Sequence, residues 1–390
     1  MPTRPCWVEI NTQAFEDNYR FLAELAAPHA ELLAIVKANA YGHGLAFCAP
    51  AAVRAGARWL GVTSVEEGDA ARSLCPDAQI LVISGVFPGQ ASEIVRHGLT
   101  PIAWESWQLD ELESTGAAAQ SIPVHLEIDT GMSRQGADPE HLAFLLARFH
   151  TRSALRLDGV MTHLFAADEA DGAVTEAQLT RLEIVLDQIR AADLRPMWLN
   201  VGNSAALLSG RAAEIAALAT RYGMKAMLRP GLVLYGLAPE FAPDFDKAPS
   251  SLAEARRKLK PVLTWKTRVV GVRSVAAGAV VGYNGTFVAT EPMRLALLAV
   301  GYADGLDRKL GNRFSLLVRG QRAPLVGRIS MDQAVVDVTE IYGVEPGDEC
   351  VIVGSQGAET ITAFDHARGS ETIPWEVFTR IGARVSRVAV

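Results

Sequence analysis

The sequence predicts an α/β fold in two parts: a (β/α)8 TIM barrel over residues 11–240, then a mostly-β domain over residues 241–390, rejoined by strand 5–10. Three observations predict it. From Glu31 to about Leu237, short apolar runs rich in β-branched residues alternate with longer amphipathic stretches, the pattern of repeated β-α units. After Pro239 the helical period disappears and strand follows strand between Gly, Pro and Asp turns. The length, 390 residues, exceeds what one minimal core needs and fits a large barrel plus a smaller domain.

Taken in order, the first element is an isolated strand at 7–10, placed before the repeating units begin and expected to cross over to the second domain. Eight apolar runs follow, at 33–36, 59–63, 80–83, 100–103, 123–128, 157–162, 197–201 and 226–228, with helical segments such as 175–191 between them. Eight units in about 200 residues point to a closed barrel rather than a doubly wound sheet. An open α/β sheet is the structural alternative, since one strand more or fewer would change the count. Residues 241–260 read as a polar, Pro-bearing connection with one short helical stretch. Beyond it, runs at 262–270, 294–300, 314–318, 334–338 and 350–353 read as the strands of an all-β domain.

Composition narrows the function classes. With 49% hydrophobic, 21% charged and 7% aromatic residues the chain buries a core. A net charge of -7, with only short basic clusters such as Arg256-Arg257-Lys258, gives no footprint for a phosphate backbone, so no nucleic-acid partner is expected. The four cysteines, Cys6, Cys48, Cys75 and Cys350, are scattered without a CxxC pair and read as reduced thiols of a cytoplasmic protein. No apolar stretch has the length of a signal sequence at the start or of a membrane span elsewhere. There is no Walker loop, dinucleotide fingerprint, nucleophile elbow or HExxH, and the eight histidines are dispersed, so no metal is expected.

Chemistry in such a barrel gathers at the C-terminal ends of its strands. Lys37 ends the first run, where partial desolvation would make its amine available as a Schiff-base nucleophile. On position alone, a lysine snorkelling to the rim is the simpler reading. His125, Glu127 and Asp129 alternate with apolar neighbours and should share one side of the fifth run, with Arg134 in the next loop. His163 closes the sixth, Asn203 and Ser204 open the helix after the seventh, and Arg229-Pro230-Gly231 follows the eighth. The last two loops are the usual phosphate site of this fold, although a serine at a helix start is far more often a cap. An amine, a phosphate cradle and two arginines around one mouth suggest a phosphorylated carbonyl cofactor.

The order of motifs is specific. Val36-Lys37-Ala38-Asn39-Ala40-Tyr41-Gly42-His43-Gly44 resembles the pyridoxal 5'-phosphate attachment motif of the alanine racemase family. Asp129 to Arg134, Thr162-His163, Asn203-Ser204, Arg229-Pro230-Gly231, Gly301-Tyr302-Ala303-Asp304-Gly305 and Gly327 to Asp332 follow in that family's order. The resemblance covers nearly the whole chain. It implies a racemase interconverting L- and D-alanine by two bases, working as a head-to-tail homodimer with sites shared between subunits. Lys37 would hold the cofactor covalently, and Tyr41, Ser204, Gly231 and Leu232 would hold its phosphate. His163, Asn203, Arg229 and Trp375 would also contact it, Arg229 at the ring nitrogen. Lys37 and Tyr283 would be the two bases, Tyr283 coming from the partner subunit. Arg134, Met331 and Asp332 would bind substrate, and Tyr302, Arg308, Arg328, Ile373 and Trp375 would line the access corridor.

Two departures from the family stand out. Glu127 occupies a place where many members carry a lysine, often carbamylated, and is expected to brace Arg134 with its own carboxylate. Trp375 stands where a tyrosine is usual, which changes the shape of the entrance and the donor offered to the phosphate. A racemase of broader specificity, acting on serine or other amino acids, is the nearest alternative. Decarboxylases of basic amino acids share the architecture, but the chain has Gly202-Asn203-Ser204 where they usually carry a glycine triplet. A non-catalytic pyridoxal phosphate carrier would resemble the barrel alone.

Overall fold

The computed structural model describes residues 4–115, 121–149, 154–169, 171–241 and 250–390. They divide into two compact units. One holds Gln13–Ala40 and Cys48–Lys260; the other holds the described residues up to Thr12, Tyr41–Phe47 and Pro261–Val390.

The first unit is a closed barrel of eight parallel strands, β2 to β9: Ala30–Ile35, Trp59–Val62, Gln79–Val82, Thr100–Ala103, Ile122–Glu127, Leu155–Met161, Trp198–Asn203 and Lys225–Arg229. Closure comes from β2 pairing with β9, Leu32 opposite Leu228. Both faces of these strands are covered, which is why they read as continuous apolar runs and not as alternating ones. Below the mouth the barrel packs aromatic rings: Trp59 meets Trp198 edge-on at 5.7 Å and His125 at 6.0 Å. The His125 ring lies against Gly159, where an added Cβ would sit 2.5 Å from it. Glycine makes the room.

The polar connection expected after Pro239 falls partly outside the described residues, at 242–249. Its helix, Ser250–Lys258, buries Leu252 and Ala255, and Ser251 Oγ donates to the Leu208 carbonyl at 2.7 Å. These contacts put it with the barrel, so the boundary falls after Lys260 and not at 240.

The second unit is built on a nine-stranded sheet. Strand β1 (Cys6–Ile10) lies between β10 (Leu263–Val275), antiparallel, and β19 (Ser386–Ala389), parallel. Strands β13 (Met293–Leu298), β14 (Ser315–Val318), β15 (Gln321–Pro324), β16 (Ala334–Asp337), β17 (Glu349–Gln356) and β18 (Glu359–Ile361) complete it, and β11 (Val280–Val281) pairs with β12 (Phe287–Val288) apart from it. The second domain is mostly β, as expected, though not all-β. Two helices, Ala363–Ser370 and Pro374–Thr379, interrupt the strands; the first carries a capping box from Thr362 to Asp365 and the second has proline at its N-terminal turn. The segment Tyr41–Phe47 joins this unit because the Gly42 carbonyl accepts from Arg387 Nε at 3.0 Å and the His43 ring meets Phe378 at 4.8 Å. Among the described residues no helix is long and apolar enough to cross a membrane.

Candidate active site

Lys37 follows β2 after one residue, Val36, and is half-buried. The three residues after it take the left-handed conformation, with φ of 52° at Ala38, 52° at Asn39 and 55° at Ala40. Each costs an L-residue about 1–2 kcal/mol. The offset comes from Glu67. One of its carboxylate oxygens accepts from Ala38 N at 2.6 Å and Asn39 N at 3.4 Å, and the other accepts from Thr63 N at 2.9 Å and Thr63 Oγ1 at 3.1 Å. Glu67 is fixed in turn by the helix Val65–Leu74, whose cap Ser64 accepts from Glu67 N at 3.2 Å. Burial lowers the Lys37 pKa, the Arg134 and Arg229 charges add to that, and Glu67 opposes it. A larger share of neutral amine results.

Arg229, at the end of β9, is buried and held by neutral acceptors. Nη1 donates to Asn200 O at 2.7 Å, Asn200 Oδ1 at 2.6 Å and Val201 O at 3.2 Å; Nη2 donates to Thr162 O at 2.9 Å and His163 Nδ1 at 3.1 Å. A guanidinium only donates, so His163 Nδ1 is an acceptor and the ring proton of the neutral imidazole sits on Nε2. Burial, then the charges of Arg229, Arg134 and Lys37, push the His163 pKa down to about 3. Burial likewise lowers Arg229 to about 10, which leaves it protonated at neutral pH. The strand ends are clamped by Thr130 and Thr162, whose hydroxyls meet at 2.8 Å, and by Gln178 Nε2, which donates to Thr130 Oγ1 and to the His163 carbonyl.

The loops after β8 and β9 meet at Ser204. Asn203 is the helix cap, its side chain accepting from Ala206 N at 3.1 Å, so Ser204 is released from that duty. Ser204 Oγ accepts from Gly231 N at 2.9 Å, which leaves the hydroxyl proton to be donated elsewhere. Leu232 begins a buried turn, Leu232–Tyr235, tied to the lysine strand by Tyr235 Oη donating to Ile35 O at 2.9 Å.

Glu127 ends β6 and is buried. Its hydrogen bond comes from Gln135 Nε2, which also donates to Ile83 O at 3.2 Å; the direct brace to Arg134 is replaced by attraction of charge alone. Burial raises the Glu127 pKa against the pull of Gln135, Arg229 and Arg134. The expected alternation also breaks. Asp129 lies beyond the strand and accepts from Gly131 N and Ser133 N at 2.8 and 3.1 Å, closing its own turn, while β6 slips register against β7 between Val124 and His125.

The remaining predicted residues belong to the second unit. Tyr41 is buried there, and burial raises its phenol pKa. Tyr283 is exposed, in a short turn whose Asn284 has φ of 60°. Tyr302, Met331 and Ile373 are exposed apolar side chains, Arg308 and Asp332 are exposed as well, and Arg328 is half-buried. Trp375 is half-buried in the helix Pro374–Thr379.

The family models for the N-terminal and C-terminal domains of alanine racemase match residues 10–239 and 262–389. The chain belongs to the alanine racemase family. It is 39% identical to an alanine racemase of Symbiobacterium thermophilum over 98% of this chain and 97% of that one. Among solved structures, alanine racemase from a D-cycloserine-producing Streptomyces lavendulae superposes with a TM-score of 0.89 at 33% identity, covering 100% of this chain and 98% of the other. Alanine racemase from Bartonella henselae, with covalently bound pyridoxal phosphate, does so with a TM-score of 0.84 at 27% identity, covering 99% of both.

Within this family fold, the residues that sequence reading missed are those that hold others. Glu67, Gln178, Asn200 and Gln135 each act on a predicted neighbour, as do Thr130 and Thr162, which the motifs contained without a role. For Glu67 a signal existed: Ser64-x-x-Glu67 is a capping-box pattern, and it reads as a cap because nothing local shows the carboxylate turning to Ala38.

Proposed function

We propose that the chain is an alanine racemase, dependent on pyridoxal 5'-phosphate, that interconverts L- and D-alanine. The observation that carries this is the convergence of Lys37, Arg134 and Arg229 with the Ser204–Gly231 junction at the barrel mouth, in a chain that matches alanine racemases over nearly its whole length. The residues fit the cofactor. Arg229 is a buried cation with only neutral hydrogen-bond acceptors, and Ser204 has a spare donor where the last two loops meet, so the mouth suits an anionic group. Lys37 would bind the aldehyde, and Tyr41, Asn203, Ser204, Gly231, Leu232 and Trp375 would hold the phosphate end.

When bound, pyridoxal phosphate withdraws electrons from the substrate and so acidifies its α-proton. Inverting the centre needs a base on each face. Lys37, its amine kept partly neutral by burial, serves one face. Tyr283 serves the other, contributed by a second copy in a head-to-tail homodimer; its exposure on the second unit supports that role. His163, with its proton on Nε2, hands hydrogen bonding on from Arg229. Arg229 only donates, so it supplies no proton acceptor at the ring nitrogen. Arg134 and the Met331 amide orient the substrate carboxylate, with Asp332 beside them, and Tyr302, Arg308, Arg328, Ile373 and Trp375 control access. We place the enzyme in the cytoplasm, which the four free, buried thiols support.

Loss of optical rotation with L-alanine, scanned across other L-amino acids, tests this reading. Lys37→Ala should abolish both racemisation and the near-visible absorbance of lysine-bound cofactor. Tyr283→Phe should keep the absorbance and lose deuterium exchange from L-alanine most directly. Parental absorbance in the first variant, or a parental exchange rate in the second, would remove that residue from its role. Trp375, wider than tyrosine, favours testing serine as a second substrate.

A further inference from the structure

Asp304 is a fully buried carboxylate far along the chain from Lys37. It accepts from Arg4 Nε at 3.2 Å and Nη2 at 2.7 Å, from Arg384 Nε at 2.7 Å, and from Gly301 N at 2.9 Å. Burial alone would raise its pKa; Arg4, Arg384 and the Gly301 amide outweigh that and hold it below the ordinary carboxylate range. A buried charge with so complete a set of donors is a fixed point in the fold.

What it fixes is the stretch 330–332. Tyr302 N donates to Ser330 O and Ala303 N to Met331 O, both at 3.0 Å. The contact is close enough that a Cβ on Gly301 would lie 2.3 Å from each of those two carbonyl oxygens. Arg384 makes a second tie. While its Nε holds Asp304, its Nη2 pairs with Asp332 at 2.7 Å and reaches Met331 O at 3.5 Å. One arginine thus spans a buried anchor and an exposed loop, since Asp304 is sealed while the Asp332 side chain is 53% exposed.

We propose that Asp304, acting through Arg384, is a positioning residue for substrate: it sets the 330–332 loop so that the Met331 amide meets the substrate carboxylate. The proposal rests on the assignment of that amide to the substrate carboxylate in the racemase reading above. Arg384 is the better handle than Asp304. Without it, Asp304 keeps Arg4 and the Gly301 amide, so the anchor survives and only the tie to the loop is lost.

The test compares holoenzyme carrying Arg384→Met, Arg384→Lys or no change in three measurements: hydrogen exchange of a peptide covering 329–333, KM and kcat for L-alanine, and the inhibition constant of propionate, a bare carboxylate. Arg384→Met should speed exchange of the peptide and raise both KM and the propionate constant about tenfold, the scale of one lost charge-assisted contact. The cofactor absorbance should match the parent and kcat should move by less than about twofold. Arg384→Lys, which keeps a charge but not the fork, should fall between. Parental exchange in Arg384→Met would overturn the tie itself. Faster exchange with parental KM and propionate binding would overturn the carboxylate assignment on which the proposal rests, so the two failures are told apart. A general loss of structure would show as lost cofactor absorbance, and the Lys variant then carries the same three readouts.

Discussion

Replacing Glu67 should loosen the backbone that carries Lys37 more than it destabilises the barrel. Ala38, Asn39 and Ala40 together hold roughly 3–6 kcal/mol of left-handed backbone cost. Against it stand the Glu67 bonds to Ala38 N and Asn39 N, which are exposed, and to Thr63 N and Oγ1, which are partly buried. Charge-assisted bonds contribute about 1.5–3 kcal/mol each when protected, and water replaces much of that at the exposed amides. Glu67→Ala should therefore cost about 2–3 kcal/mol, and Glu67→Gln, which keeps an acceptor, about 1 kcal/mol. For a domain of this size that is roughly 5–10 °C in Tm for the alanine variant. Removing the anion also takes away a charge that raises the Lys37 pKa, so the amine should titrate lower than in the parent. The assays are calorimetry, hydrogen exchange of a peptide covering 36–41, and the pH dependence of cofactor capture. A Glu67→Ala protein with parental Tm and parental exchange at 36–41 would refute the argument that Glu67 holds the turn.

The neighbouring carboxylate makes a prediction of opposite sign in pH. Because burial raises the Glu127 pKa above its ordinary 4.5, the folded state favours the protonated form, and the stability it contributes is present at low pH and lost as pH rises through the raised value. Glu127→Gln never ionises, so the variant should gain on the parent as pH climbs from 4.5, and the gain should level off once the buried carboxyl has ionised. A constant difference in denaturant unfolding from about pH 4 to 8 would show that folding leaves the Glu127 pKa unshifted. Trp375→Tyr should tighten cofactor binding by the worth of one hydrogen bond, about 1 kcal/mol, or change the ratio of kcat/KM for alanine to that for serine. Equal values of both in the two proteins would reduce Trp375 to packing.

The eight barrel strands were legible because buried parallel strands are written as unbroken apolar runs, and each run falls on a strand to within a few residues. The edges shifted where polar residues pair. β2 starts at Ala30 and not at 33 because Glu31 is balanced by Arg58, a partner invisible from either position alone. The helices Ala363–Ser370 and Pro374–Thr379 escaped because they are short and sit among strands, although Thr362, Asp365 and Pro374 mark their starts. The left-handed turn at Ala38 was beyond any local rule: Ala-Asn-Ala contains no glycine, and the conformation is imposed from Glu67. Site residues on strand ends could be read from position, whereas Asn200 and Gln178 could not. Each is a plain polar residue until the fold shows which backbone it touches.

The sheet of the second unit has a consequence for how the chain comes off the ribosome. Strand β1 is made first among its strands, yet its partners on both sides, β10 and β19, come later, Trp7 pairing with Lys266 and Ser386. At about 5–20 residues per second, the interval between Trp7 and Ser386 takes roughly 20 to 75 s. Until β10 is made β1 has neither partner, and until β19 is made one of its edges stays open, with Cys6, Val8 and Ile10 destined for full burial. The barrel, complete by Lys260, needs none of that sheet's strands and can close while β1 waits. The nascent chain therefore carries a sticky strand for most of its synthesis, a ready target for a holding chaperone, and slowing translation after residue 260 should raise aggregation more than slowing it before residue 30.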